Sequence, residues 1–415
     1  MFFRTTFFTA ATAAIVLATG SAAADWDSGR ELYHQGRFDE AAVHFQATVK
    51  SNPNWLSGYV MLGRCALAME RYDEAIGSFR TAVVLDSDSP TNVVLLGRAL
   101  MAADRHSESL ELLEGLAVDD LSPDWKAEVA RMRASCLLEE DRAADAVAVL
   151  EARLADDPER AALHRAMAAA HKATGDTAAA MDDLDHAFTL EPADVSSGRA
   201  AITLALKLAA ATEDDDLAAR YRGRALEVAT RLATVAPEYD VFLLAGRTAF
   251  EAGRFDTAAG WYSAAVEGRP HDPRARYDLG RSLAALDRND EAIAALRSAL
   301  DASPDDELAR RIHGQLGRLL TSDLELAAAA RHYRVAGMTD RAEQIDETAA
   351  GFAQALERLA TLRNSTAELA RMEVELESFS DAKGVAALAD RRETMDREIA
   401  EIEGNLSEVR LALSR

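Results

Sequence analysis

One motif returns along this chain at a spacing of about 34 residues, and that recurrence constrains the fold more than any other feature. Residues 62–79 read LGRCALAMERYDEAIGSF, and residues 245–262 read AGRTAFEAGRFDTAAGWY. Pro158, Pro192, Pro237, Pro270 and Pro304 stand 34, 45, 33 and 34 residues apart. Each proline closes a helical pattern begun about thirty residues earlier. In the second copy Tyr59, Leu62, Gly63 and Ala66 fall at i, i+3, i+4 and i+7, one stripe of a helix. ERYD breaks that stripe, and Ala75, Phe79 and Ala82 restart it on a second helix. Each unit is therefore an antiparallel helix pair, too small to bury its own apolar face and obliged to stack on its neighbours.

At 415 residues the chain exceeds the size at which single cores stop growing, so a repeat array or several domains are expected. Apolar residues make up 49% and aromatics 6%. An alanine-rich, aromatic-poor mix favours closely packed helices, because alanine loses no rotamer entropy in a helix.

These copies resemble the tetratricopeptide repeat, whose signature is an aromatic, Leu-Gly, an aromatic, Ala-x-x-x-Phe and a closing Pro. Gly29, Ala41, Phe45 and Pro53 match it, as do Tyr59, Leu62, Gly63, Ala75 and Phe79. Leu96 and Gly97 open a third copy with a weak second half; Ala146, Leu150 and Pro158 mark a fourth, and Ala180, Leu184 and Pro192 a fifth. Ala225 and Pro237 mark a sixth, with extra residues at 212–216. Phe242, Gly246, Ala258, Tyr262 and Pro270 form a strong seventh; Leu279, Gly280, Ala292 and Pro304 the eighth; Leu316, Gly317, Ala329 and Tyr333 the last. The resemblance implies an all-α fold: a right-handed α-solenoid of about nine repeats over 25–338, degenerate at copies 3, 4 and 6, followed by a helical hairpin over 339–415. It also implies that the recurrent glycine lets a neighbouring helix approach closely, so that a larger side chain there would push repeats apart.

The first 24 residues carry one early cation, Arg4, an apolar middle and small residues at Ala22 and Ala24, the layout of a secretory signal peptide cleaved after Ala24. The stretch is interrupted by Thr9, Thr12 and Thr19 and is too short for a membrane anchor. The mature chain is thus expected to be exported and periplasmic. Cys65 and Cys136 occupy equivalent sites in repeats 2 and 4, too far apart for a disulfide, so two buried free thiols are expected.

After Met338 the 34-residue period disappears. From Ile345 to Leu369, and again from Val385 to Leu413, apolar residues recur at alternating steps of three and four, with SDAKG at 380–384 as a turn between them. Two such arms form an antiparallel coiled-coil hairpin about 45 Å long at 1.5 Å per residue. The hairpin either closes within one chain or exchanges arms with a second, which would make it an oligomerisation surface. Arg392 falls in its apolar seam.

No GxSxG, phosphate-loop, HExxH or CxxC motif is present, and no enzyme, cofactor or metal site is expected. His164 and His171 lie seven apart on one helix face, but they fall where the repeat signature places its two aromatics, which favours packing over ligation. The net charge of −24 repels nucleic acid and anionic lipid. With only five lysines, arginine carries the positive charge.

Arg30, Arg64, Arg98, Arg247, Arg281 and Arg318 each directly follow the first-helix glycine. One residue is 100° of rotation, so with Gly63 turned to the neighbouring repeat, Arg64 points off the core stripe. In the resembled family that direction is the concave groove, where peptides or partner segments bind. A row of forked cations there, with Arg131 and Arg165 adding to its middle, would hold carboxylates of a protein partner. Equally, each arginine could pair with the array's own surplus of carboxylates. The family's carboxylate clamp for chaperone tails does not carry over, because Trp26 stands at its first lysine. The expected function is a non-catalytic scaffold in envelope assembly. The alternatives are an accessory subunit of a cell-wall or polysaccharide export enzyme, or a structural spacer.

Overall fold

The computed structural model describes residues 25–119, 121–378 and 382–414, so the expected signal peptide lies outside the described residues. Among those residues the regular structure is helix throughout, with no strand. The chain divides into two compact units, one ending at Val228 and the other beginning at Ala229.

The first unit holds α1 (25–34), α2 (Phe38–Ser51), α3 (Leu56–Ala68), α4 (Tyr72–Leu85), α5 (Pro90–Ala102) and α6 (His106–Glu114). It continues through α7 (Pro123–Glu139), α8 (Ala143–Asp156), α9 (Ala161–Thr174), α10 (Thr177–Leu190) and α11 (Val195–Ala211). The division falls inside α12 (Asp215–Val235). The second unit holds α13 (Tyr239–Glu251), α14 (Phe255–Gly268), α15 (Pro273–Ala284), α16 (Asn289–Asp301), α17 (Asp306–Ser322), α18 (Leu326–Val335), α19 (Thr339–Ser378) and α20 (Ala382–Ser414). Odd-numbered helices to α17 are the first members of pairs and even-numbered ones the second, and consecutive pairs stack from α2 to α11 in the first unit and from α13 to α18 in the second.

Three positions, counted from the small residue of the first helix, explain the pair. Sixteen residues on stands the large side chain that lies over it: Phe45 over Gly29, Phe79 over Gly63, Tyr262 over Gly246, Leu296 over Gly280 and Tyr333 over Gly317. Twelve residues on stands a fully buried small side chain, as at Ala41, Ala75, Ala146, Ala258, Ala292 and Ala329. Here the structure corrects the expected direction of the glycine. In these five repeats it faces the second helix of its own pair, and the approach it permits is within the repeat, whereas at Gly97 the nearest side chain is Met132 of the next repeat. Repeat 3 departs from the pattern. Ser109 replaces the alanine, donates its hydroxyl to the Gly97 carbonyl at 3.1 Å, and is followed by the shortest second helix, α6.

Seven residues on, every pair except α11 and α12 turns through the left-handed region: Gly36, Glu70, Asp104, Asp141, Gly175, Gly253, Asp287 and Leu324 all have φ between 56° and 87°. That twist lets the amide three places past the first helix reach back into it, as Arg71 N to Ala66 O and Glu325 N to Leu320 O, both 2.8 Å. Glycine meets this φ without steric cost, whereas a side chain does not. Leu324, at φ 62°, has no polar group to compensate. Leu324→Gly is therefore expected to raise the stability of the second unit by about 0.5–1 kcal/mol despite glycine's added unfolded-state entropy. A urea midpoint that falls or stays put would contradict this account of the turn.

Both cysteines are fully buried and free. Burial pushes the Cys65 thiol up to about 11, so little reactive thiolate forms near neutral pH.

The C-terminal helices begin earlier than the heptad pattern indicates. α19 starts at Thr339, and its Ala342 and Ile345 are buried in one core with Leu316, Leu320, Ala329 and Tyr333, so its first turns cover the last repeat. α20 starts at Ala382, inside the expected SDAKG turn, of which 380–381 lie outside the described residues. At 40 and 33 residues, the arms are about 60 and 50 Å long rather than 45 Å. They pack on one another in antiparallel sense, because Glu373 near the end of α19 pairs with Arg392 near the start of α20, while Arg363 further back on α19 pairs with Glu403 further along α20. Near its end Leu413 returns to the core of the last repeat.

Candidate functional site

In the first unit, first helices of adjacent repeats touch each other, as α5 touches α7 and α7 touches α9, so residues on their outer faces become neighbours in space. The six glycine-following arginines are all on first helices, three in each unit, but they do not share one environment. Arg30 and Arg64 are exposed and form no ion pair among the described residues. Arg98 is also exposed, yet it bonds Glu128 on α7, which Arg131 of α7 also holds at 2.8 Å. Although burial opposes it, hydrogen bonds from Arg98 and Arg131 bring the Glu128 carboxyl below the ordinary glutamate range. Arg165 is likewise held, by Glu191 at 2.7 Å and Asp194 at 3.0 Å.

Arg131 and Arg165 also clarify the register. They precede the small residues Ala134 and Ala168 by three, whereas Arg64 follows Gly63 by one. Positions differing by four share a helix face, so the arginine stripe shifts by one turn in the middle repeats without leaving the face.

In the second unit Arg247 pairs with Glu251 at 2.7 Å along its own helix. Arg281 lies 4.5 Å over the Phe250 ring and 5.7 Å from the Tyr277 ring, with Asp278 at 3.4 Å. Arg311 covers Tyr277 from α17 at 5.2 Å. Cations and rings therefore interleave across α13, α15 and α17, each contact contributing about 0.5–2 kcal/mol. Burial raises the Asp278 carboxyl even though Arg281, Arg274 and Arg311 pull it down. Arg318 is exposed and without an ion pair among the described residues. The arginines thus divide between two uses: Arg98, Arg247 and Arg281 are engaged internally, and Arg30, Arg64 and Arg318 are open.

A second arginine recurs that the glycine-centred reading overlooked. Arg37, Arg71, Arg105, Arg142, Arg254 and Arg288 each directly follow the left-handed turn residue. Four of them reach three residues ahead, to Glu40, Glu108, Asp145 and Glu291, at 2.6 to 2.8 Å. These pairs are exposed and locally tie the turn to the second helix, contributing a few tenths of a kcal/mol each. The recurring Arg-aromatic-Asp in ERYD and GRFD was their signal in the sequence.

Histidines occupy a third recurring relation, four before the small residue and nineteen across. His44 faces Asp25 at 3.3 Å, His164 faces Asp183 at 3.2 Å, and His313 faces His332 at 2.7 Å between Nδ1 atoms. Asp183 also accepts from His171 at 2.8 Å, and the His186 ring lies 4.3 Å from that of His164. His164 and His171 are thus half-buried partners of one carboxylate. Among the described residues no group of three or more His, Cys, Asp or Glu is placed to hold a metal ion. No helix among them is long and apolar enough to cross a membrane.

The His313 and His332 pair shares one proton between two rings, so double protonation would set two cations face to face. Burial lowers the pKa of both, and His313, Arg297 and Arg331 lower His332 further. An unfolded chain takes up these protons near pH 6.5, before the folded chain does. The pair's stability contribution is present above about pH 6.5 and is lost as pH falls through the depressed folded values. The urea midpoint of the second unit is expected to drop between pH 7 and 5.5, and to drop less in His332→Gln. Equal slopes for the two proteins would rule the pair out as the cause.

A tetratricopeptide-repeat family model matches residues 27–90, 60–124 and 243–307. Among solved structures, MamA is 19% identical, with 42% of this chain and 94% of that chain covered and a TM-score of 0.37. YrrB is 20% identical over 46% and 96%, with a TM-score of 0.37. PilF of Pseudomonas aeruginosa is 18% identical over 58% and 98%, with a TM-score of 0.39. No curated protein matches the chain.

Proposed function

We propose that this chain, which carries tetratricopeptide repeats over residues 27–124 and 243–307, is a non-catalytic scaffold that receives protein partners on the outer face of its first helices. Acidic segments dock at Arg30 and Arg64, and the α19 and α20 pair offers a second contact or oligomerisation surface. The protein acts in cell-envelope assembly after export, a reading supported by the signal-peptide layout of residues 1–24.

One observation carries the assignment. In a chain with 70 acidic residues and 46 basic ones, adjacent first helices present two exposed arginines that no described carboxylate has captured. An open guanidinium keeps its fork for a partner's carboxylate, whereas a captured one must first give up a bond.

The test is charge reversal read against a labelled decaglutamate peptide. Arg30→Glu with Arg64→Glu is expected to weaken binding at least tenfold, about 1.4 kcal/mol. Arg247→Glu, which removes a captured arginine, should change it less than twofold. Raising the salt should weaken wild-type binding and leave the reversed variant nearly unaffected. Equal losses from both variants would refute the assignment of Arg30 and Arg64.

A further inference from the structure

The Arg98, Glu128 and Arg131 cluster is built differently from the other ion pairs on the first-helix face. Its two arginines come from different repeats, Arg98 on α5 and Arg131 on α7. They take opposite oxygens of one carboxylate: Arg98 Nη2 donates to Oε1, while Arg131 donates to Oε2 from Nη2 at 2.8 Å and from Nε at 3.3 Å. The carboxylate is the most enclosed part, its side chain 18% exposed, whereas the guanidiniums are 53% and 43% exposed. Two cations around one anion leave a net positive charge open to solvent, and charge-assisted bonds of this kind are the stronger class of hydrogen bond.

We propose that Arg98 and Arg131 form a carboxylate-binding subsite for acidic peptide segments, and that Glu128 occupies it as a resident ligand which an incoming segment must displace. The subsite extends the Arg30 and Arg64 row along the same face, and it rests on the reading that acidic segments dock there. Glu128 then sets the affinity, because binding at this position is an exchange of one carboxylate for another. Exchange returns little net energy, whereas binding to an emptied pair returns both bonds.

The experiment removes Arg30 and Arg64 first, so that the new subsite is read alone. Titration of fluorescein-labelled decaglutamate into Arg30→Ala/Arg64→Ala is compared with the same protein carrying Glu128→Gln, at low ionic strength. Glu128→Gln keeps the side chain's shape and removes its charge, and it should tighten binding roughly tenfold, the size of one charge-assisted bond partly screened by water. Adding Arg98→Gln should abolish the gain. Glu114→Gln, which removes a half-exposed acid from α6, controls for net charge and should leave affinity within twofold. Glu128→Asp, which withdraws the carboxylate by one methylene, provides a second variant and should tighten binding in the same direction. No gain from either Glu128 variant, a gain that survives Arg98→Gln, or an equal gain from Glu114→Gln would each overturn the proposal. Failure of the wider docking reading is distinguishable: it appears as equal peptide affinity for wild type and Arg30→Ala/Arg64→Ala, whatever Glu128 does.

Discussion

Phe79→Ala is expected to destabilise the first unit by about 3–5 kcal/mol and Gly63→Ala by about 1–3 kcal/mol, while the double variant loses clearly less than their sum. Phe79 is 0% exposed, and its ring lies so close over Gly63 that an added Cβ would stand 2.6 Å from two ring carbons. Alanine at 63 therefore forces the ring, and the helix that bears it, to move. Alanine at 79 leaves a void beside a bare glycine. With both changes the new methyl enters the space that the ring vacated, so each substitution relieves the other by about 1–3 kcal/mol. Denaturant unfolding of the four proteins, followed through Trp26 and Trp55 at the start of the same unit, measures the coupling. Strictly additive losses would mean that Gly63 and Phe79 are not one contact. The same result should be found for Gly246 with Tyr262 and Gly317 with Tyr333, whose Cβ approaches are 2.8 and 2.9 Å.

That contact also shows what could be read without coordinates. The period, the helix pairs and the signature positions at Gly63, Ala75 and Phe79 were legible because burial restricts each to few residue types. The partner of the glycine was not legible, since a period of 34 places its neighbour equally well in the same repeat or the next. The turn residue was hidden for another reason. Glu70, Asp104, Asp141, Asp287 and Leu324 adopt a left-handed φ that their side chains do not advertise, and only Gly36, Gly175 and Gly253 carry the expected mark.

The arginines divide along the same line. Their direction follows from one residue of helical rotation after a buried glycine, and the structure places all six on first helices. Their state depends on which of 70 acids stands near, which periodicity does not encode. Glu128 and Asp278 matter because of two neighbouring helices, and neither belongs to a motif. The cation and ring interleaving at Phe250, Arg281, Tyr277 and Arg311 is likewise a product of stacking. Its residues are dispersed from 250 to 311, and the signature assigns none of them that role.

The last expected effect of comparable size concerns the C-terminal pair, where Arg392 interrupts an apolar seam. Opposite it Glu373 is 8% exposed, with Oε2 bonded to Arg392 Nη1 at 2.7 Å and Oε1 buried without a hydrogen-bond partner. Arg392→Leu removes the cation that, among the described residues, compensates this carboxylate. Losses of about 3–5 kcal/mol follow when a fully buried pair is broken, and the 40% exposure of Arg392 reduces the expectation to about 2–3 kcal/mol. Glu373→Leu with Arg392→Leu should be at least as stable as wild type, because the uncompensated charge and the idle oxygen go together and Leu369 gains an apolar neighbour one turn away. The polar pair then serves specificity rather than stability: it admits one alignment of α19 against α20, which a uniform leucine seam would not enforce. The double variant is accordingly expected to gain melting temperature while populating additional oligomeric states by light scattering. A double variant as unstable as Arg392→Leu would show that the pair contributes net stability, and a more stable one that keeps a single oligomeric state would remove the alignment role.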